Sequence, residues 1–171
     1  MKCITTVGLF LALLGAPEVA NAQAACENPD RGQFDFWLGT WDVFKPDGTL
    51  AGTNRIEKEQ DGCVVHEHYR TAIGYDGQSL NIYDAARQVW HQTWVDNGGT
   101  LLLLEGGLVE GKMVLEGATT GQDGVVTQHR ITWTPNADGT VQQFWESTNP
   151  AGEWSVAFDG TYRRTETRID D

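Results

Sequence analysis

The chain has 171 residues, 24 acidic against 12 basic side chains, a net charge of −12 and seven tryptophans. That balance speaks against a nucleic-acid or anionic-membrane partner, which needs clustered Lys and Arg, whereas Lys2, Lys45, Lys58 and Lys112 are scattered. With 40% hydrophobic residues it is no disordered acidic tail but one domain with a real core.

Met1-Lys2 precedes an apolar run from Cys3 to Ala16, then Pro17 and the small triplet Ala20-Asn21-Ala22. This is the pattern of a secretory signal peptide, residues 1–22, cut after Ala22. A membrane anchor needs about 20 apolar residues, more than this run supplies. Residues 23–171 are then the mature domain, periplasmic or secreted, with no membrane contact once the signal is gone. The cut removes Lys2 and Glu18 together and leaves the charge unchanged.

Cys26 and Cys63 remain as an even pair in an oxidising compartment and read as one disulfide. Acylation of Cys26 is the rival, but Gln23-Ala24-Ala25 lacks the Leu of a lipobox. Next, Asn28-Pro29-Asp30 starts a short helix over Asp30 to Leu38, with Phe34, Trp37 and Leu38 as its apolar stripe.

From there turn chemistry recurs, in Pro46-Asp47-Gly48, Asp61-Gly62, Asp76-Gly77, Asn97-Gly98-Gly99, Glu110-Gly111, Asp123-Gly124, Asp138-Gly139 and Asn149-Pro150-Ala151-Gly152. The runs between are rich in Val, Ile, Thr and aromatics. The stretch from Asp76 to Asn97 divides into two strands turning near Ala85-Ala86, so no interval holds a crossover helix and a parallel sheet is excluded. The expected fold is all-β: an up-and-down antiparallel barrel of about ten strands, capped at one end by the helix.

Period-2 alternation assigns the faces. Val65, Glu67 and Tyr69 oppose Val64, His66, His68 and Arg70; Trp90, Gln92 and Trp94 oppose His91, Thr93 and Val95. Val125, Thr127, His129, Ile131 and Trp133 form one side of their strand, and Val141, Gln143 and Trp145 of the next. The last strand groups Trp154, Val156, Phe158 and Tyr162. With the more apolar side inward, Tyr69, Gln92, Trp94, Trp133, Gln143 and Trp145 line a cavity for a small hydrophobic or aromatic molecule. The opposite register, with His66, His68, Arg130 and Glu146 inside, is the alternative.

The stretch Phe34-Asp35-Phe36-Trp37-Leu38-Gly39-Thr40-Trp41 contains Gly39-x-Trp41, which resembles the G-x-W opening of lipocalins and related calycins. Together with Trp90 to Gly99, Met113 to Gly117, His129 to Pro135 and Trp145-Glu146-Ser147, it resembles a bacterial family of secreted, largely uncharacterised lipocalin-like proteins. The resemblance implies a barrel whose Trp41 is covered by Arg163 or Arg164, and it implies no settled activity.

Candidate chemistry is confined to a few residues. Glu67 with His129 is the acid/base pair to consider, since a carboxyl in a tryptophan-lined cavity titrates near neutrality. The bland reading pairs Glu67 with Arg130 or Arg70, or leaves it in water. His66 and His68 at i, i+2 could share a metal, but zinc wants three or four protein ligands and a solvated face explains the pair equally well. No metal or cofactor is expected: G-x-x-x-x-G-K-[ST], G-x-G-x-x-G and G-x-S-x-G are all absent. Two function classes remain open, a binder or carrier and a cofactor-free lyase, isomerase or hydratase using Glu67 and His129; a structural envelope protein with a filled core is a weaker third. Oligomeric state is left open.

Overall fold

The computed structural model describes Cys26 and residues 28–165, so the signal-peptide reading of 1–22 lies outside the described residues. Ten strands follow one another: β1 Gly39–Phe44, β2 Leu50–Glu59, β3 Val64–Arg70, β4 Asp76–Asp84, β5 Val89–Asp96, β6 Leu101–Val109, β7 Lys112–Thr120, β8 Val126–Pro135, β9 Val141–Thr148 and β10 Trp154–Arg164. Each pairs antiparallel with its neighbours in sequence, and β1 pairs with β10, which closes an up-and-down barrel. Closure leaves no free sheet edge. This is the calycin-like architecture that the turn spacing anticipates, including the β4 to β5 turn around Ala85 and Ala86.

The expected helix over Asp30 to Leu38 is instead two 3-10 turns, Pro29–Gly32 and Asp35–Trp37. The segment is short, and three residues per turn brings Phe34 directly over Trp37, their rings stacked at 4.8 Å. Phe34 also meets Trp90 at 5.7 Å and Trp133 at 5.2 Å, both edge-on, so the turns form an aromatic plug inside one end of the barrel. Polar contacts hold it in place. Trp90 Nε1 donates to Gln33 Oε1 (3.1 Å), Tyr83 OH to Asp30 Oδ2 (3.2 Å) and Lys58 Nζ to Asp35 Oδ2 (2.8 Å).

Both ends of the plug are tied down. Cys26 is disulfide-bonded to Cys63, with Cα atoms 4.9 Å apart, at the turn joining β2 to β3. That bond also occupies the sulfur that acylation would need. At the other end Gly39 enters β1 at φ +132°, where a Cβ would strike the Arg164 guanidinium. Arg164 lies 3.8 Å from the Trp41 ring centroid and donates to the Leu38 carbonyl, while Trp41 Nε1 donates to Trp37 O (2.9 Å). Of the two arginines expected near Trp41, Arg164 covers it, and Arg163 lies over Phe44.

The alternation places Glu67, Gln92, His129 and Gln143 toward the interior, and His66, His68 and Arg130 outward. Outside, His66 Nδ1 pairs with Glu59 (2.7 Å), His68 Nε2 with Asp76 (3.0 Å) and Arg130 Nε with Glu116 (2.6 Å). Exposed pairs of this kind add little stability. One grouping fails. A bulge between Val156 and Phe158 sets Val156 opposite Glu146 and Phe158 opposite Trp145. The extra residue reverses the faces, so Trp154 and Val156 point outward while Phe158 and Tyr162 point in. Trp154 there packs under Arg130, 4.7 Å from its ring centroid.

Candidate functional site

The plug fills the lower barrel and leaves the upper part hollow. A cavity of about 460 Å³ opens at the end away from the plug, between the β1 to β2 and β3 to β4 turns. Its walls are Tyr69, Trp94, Leu102, Ile131, Trp145 and Phe158. Lys45, Thr71, Ile73 and Tyr75 form the lip, where Ile73 is 93% exposed. Glu67, Gln92, Gln143 and Tyr162 supply the polar part of the wall. An apolar cavity with a few placed polar groups is the usual make-up of a small-molecule site.

Two wall positions are fixed by their neighbours. Trp94 lies against the backbone of Gly77, where any Cβ would collide with the indole. At the lip Trp94 Nε1 (3.2 Å) and Tyr75 OH (2.8 Å) both donate to Asp96 Oδ2. Burial raises the Asp96 carboxyl, but hydrogen bonds from Thr100, Tyr75 and Trp94 outweigh it and bring the pKa to about 2. A permanently charged acceptor therefore holds both rings in place.

Glu67 is 4% exposed and sits at the centre of a polar network. Asn54 Nδ2 donates to its Oε1 (2.7 Å) and Ser79 Oγ to its Oε2 (2.6 Å). Behind Ser79, Asn81 Nδ2 donates to Ser79 Oγ (2.9 Å) and Gln92 Nε2 to Asn81 Oδ1 (2.7 Å). On the other side Asn54 Nδ2 also reaches Tyr162 OH (3.2 Å), which donates to Gln143 Oε1. Among the described residues no cation hydrogen-bonds to this network. Burial dominates and raises the Glu67 pKa to about 7, against the opposing pull of the Ser79 and Asn54 hydrogen bonds and, only through space, of the His66 side chain. Burial likewise pushes the Tyr162 hydroxyl well above its ordinary value.

His129 stands apart from this network. Trp145 Nε1 donates to its Nδ1 (3.2 Å), so the neutral ring carries its proton on Nε2, which meets Thr119 Oγ1 at 2.9 Å. Burial lowers its pKa and favours that neutral form. It shares no hydrogen-bond partner with Glu67, so the structure does not assemble the two as a contacting acid/base pair. Trp133 is a second correction: it faces inward, but at the depth of the plug beside Phe34 and Trp37 rather than in the cavity wall. Tyr69, Gln92, Trp94, Gln143 and Trp145 do line the cavity. Neither Arg130 nor Arg70 pairs with Glu67; they bind Glu116 and Asp76 on the outside.

Sequence reading missed Asn54, Ser79 and Asn81. All three are buried, and all lie on strands whose alternation carries the information: Asn54 between Gly52 and Ile56, and Ser79 and Asn81 between Gly77 and Tyr83. Small polar residues in an inward row mark a network because buried polar groups need partners.

Fold and cavity together define a closed antiparallel β-barrel of calycin type, stoppered at one end and hollow at the other. Comparison with protein-family models and with curated protein sequences gives no match to the chain.

Proposed function

We propose that the protein is a secreted binding barrel that takes a small, largely hydrophobic or aromatic molecule into its cavity. The carrying observation is the 460 Å³ cavity, open at one end, walled by aromatic rings and given direction by the polar groups around Glu67. The outward ladders of Arg130, Glu116, His66 and Glu59 support a barrel surrounded by water. Trp94 and Trp145 report occupancy, since both line the cavity. Titration with the neutral apolar dye N-phenyl-1-naphthylamine will quench their emission and brighten the dye with one-to-one saturation, and Trp94→Phe with Trp145→Phe will remove the protein-side signal. An unchanged dye and protein spectrum would overturn the binding role.

Export follows from the leader pattern and has its own test. N-terminal sequencing of protein from its native compartment will begin at Gln23, within a residue or two. A retained Met1, or a diacylglyceryl group on Cys26, would refute it.

A second reading is a cofactor-free lyase, isomerase or hydratase. It is favoured by one observation, a cavity-lining carboxyl that titrates near 7 and so can give or take a proton at neutrality. Glu67 then acts without His129 as its direct partner. Against a substrate, Glu67→Gln separates the readings: an acid/base enzyme loses about 10²–10⁴ in turnover with binding kept.

A further inference from the structure

The cavity holds an acceptor without a donor of matching charge. Glu67 lies in the cavity wall, yet the groups that touch it are the neutral Asn54 and Ser79. Both groups that hydrogen-bond to the carboxyl, Asn54 Nδ2 and Ser79 Oγ, donate to it, an arrangement that suits a carboxylate. Asn54 adds a second vacancy: at 1% exposure its Oδ1 has no hydrogen-bond partner among the described residues. Among the residues lining the cavity the single cation is Lys45, exposed at the lip. A buried anion without a counter-charge is costly, and a ligand that brings the cation removes that cost on binding.

Resting on the binding role proposed above, we infer that the ligand is a protonated amine on an apolar or aromatic body, its ammonium seated against Glu67. An ammonium has donors for the Glu67 oxygens that remain unfilled, and the rings of Tyr69, Tyr162 and Trp94 suit a cation near their faces. The body occupies the apolar upper wall. A net charge of −12 favours the approach of cations over anions. Where Glu67 is protonated it releases its proton to solvent as the ammonium binds, so binding is strongest when the carboxyl is already ionised.

The test uses three probes with one indole body: tryptamine, a cation; tryptophol, a neutral alcohol; and indole-3-propionate, an anion. Calorimetric titration of the purified protein at pH 8 will show tryptamine binding about 10- to 100-fold tighter than tryptophol, the range of one charge-assisted hydrogen bond, with indole-3-propionate weakest. Glu67→Gln will collapse the tryptamine to tryptophol ratio to near one. A readout on the unaltered protein guards against misfolding of the variant. The same ratio will fall as pH drops through about 7, where Glu67 takes up its proton while the alkylammonium stays charged.

The other groups facing Glu67 do not produce that profile. Asn54 on β2 and Ser79 on β4 are neutral, and burial raises the Tyr69 and Tyr162 hydroxyls away from this range. Lys45 is the exposed lysine of the lip. His66 lies on the opposite face of β3, and a His66→Gln background with the profile intact assigns it to Glu67. Equal affinities for the three probes, or a tryptamine preference that survives Glu67→Gln, would overturn the amine class. If the naphthalene dye binds and none of the indoles shows the preference, the binding role stands and this inference alone fails. If neither dye nor indoles bind, both fall.

Discussion

Reduction of the Cys26–Cys63 bond will lower the unfolding free energy by about 3–4 kcal/mol, read from denaturant curves with and without reductant and from a Cys26→Ser, Cys63→Ser variant. The sequence separation of 37 residues sets that scale through the entropy restored to the unfolded chain. The closed loop holds the whole plug, β1 and β2. Without the bond the plug keeps Phe34, Trp37 and the contacts of Gln33, Asp30 and Asp35, so the barrel still folds, with its stopper covalently tied only through Gly39. A loss below about 1 kcal/mol would show that these contacts, rather than the bond, position the plug.

Glu67→Gln will remove the pH dependence of stability that its carboxyl imposes. The folded pKa is about 7 against a model value of 4.5. Between those values the native state holds a proton that the unfolded chain has lost, so stability is full below about 4.5 and is lost as pH rises through about 7. From pH 5 to pH 8 the variant gains about 2–3 kcal/mol relative to the parent. At pH 5 the two proteins are close in stability, because the amide presents one donor and one acceptor end to Asn54 and Ser79 as the protonated carboxyl does. Thermal melts at the two pH values measure the difference, and parallel profiles for the two proteins would mean that Glu67 is ionised in the folded state throughout.

What the sequence conveyed well was side, and what it conveyed poorly was depth. Turn residues mark most strand ends, although Asp76-Gly77, read as a turn, lies in β4 and the chain turns earlier at Thr71 to Tyr75. Alternation puts Glu67, Gln92, His129 and Gln143 on the inner face because a sheet has only two faces. Trp133 shares that face with His129 and Ile131, yet it belongs to the plug and His129 to Trp145. Height along a barrel depends on strand stagger, which periodicity does not encode. The bulge at Ala157 was illegible for a related reason: an inserted residue leaves the hydrophobic pattern of Trp154, Val156 and Phe158 intact while turning Trp154 and Val156 outward. The plug was read as a helix because spacings of three and four were both present in Phe34, Trp37 and Leu38. Tertiary stacking selected three.

A tube stoppered by Phe34 and Trp37 has one doorway, and that makes it directional. A guest seated as inferred above, its charged end on Glu67, would enter charged end first and leave charged end last. Whatever delivers or collects it touches the tail and the Ile73 lip, never the end on which selection acts. Choice is made at depth and exchange at the surface, so mutations at the lip will change how fast guests come and go, and mutations around Glu67 will change which guests stay.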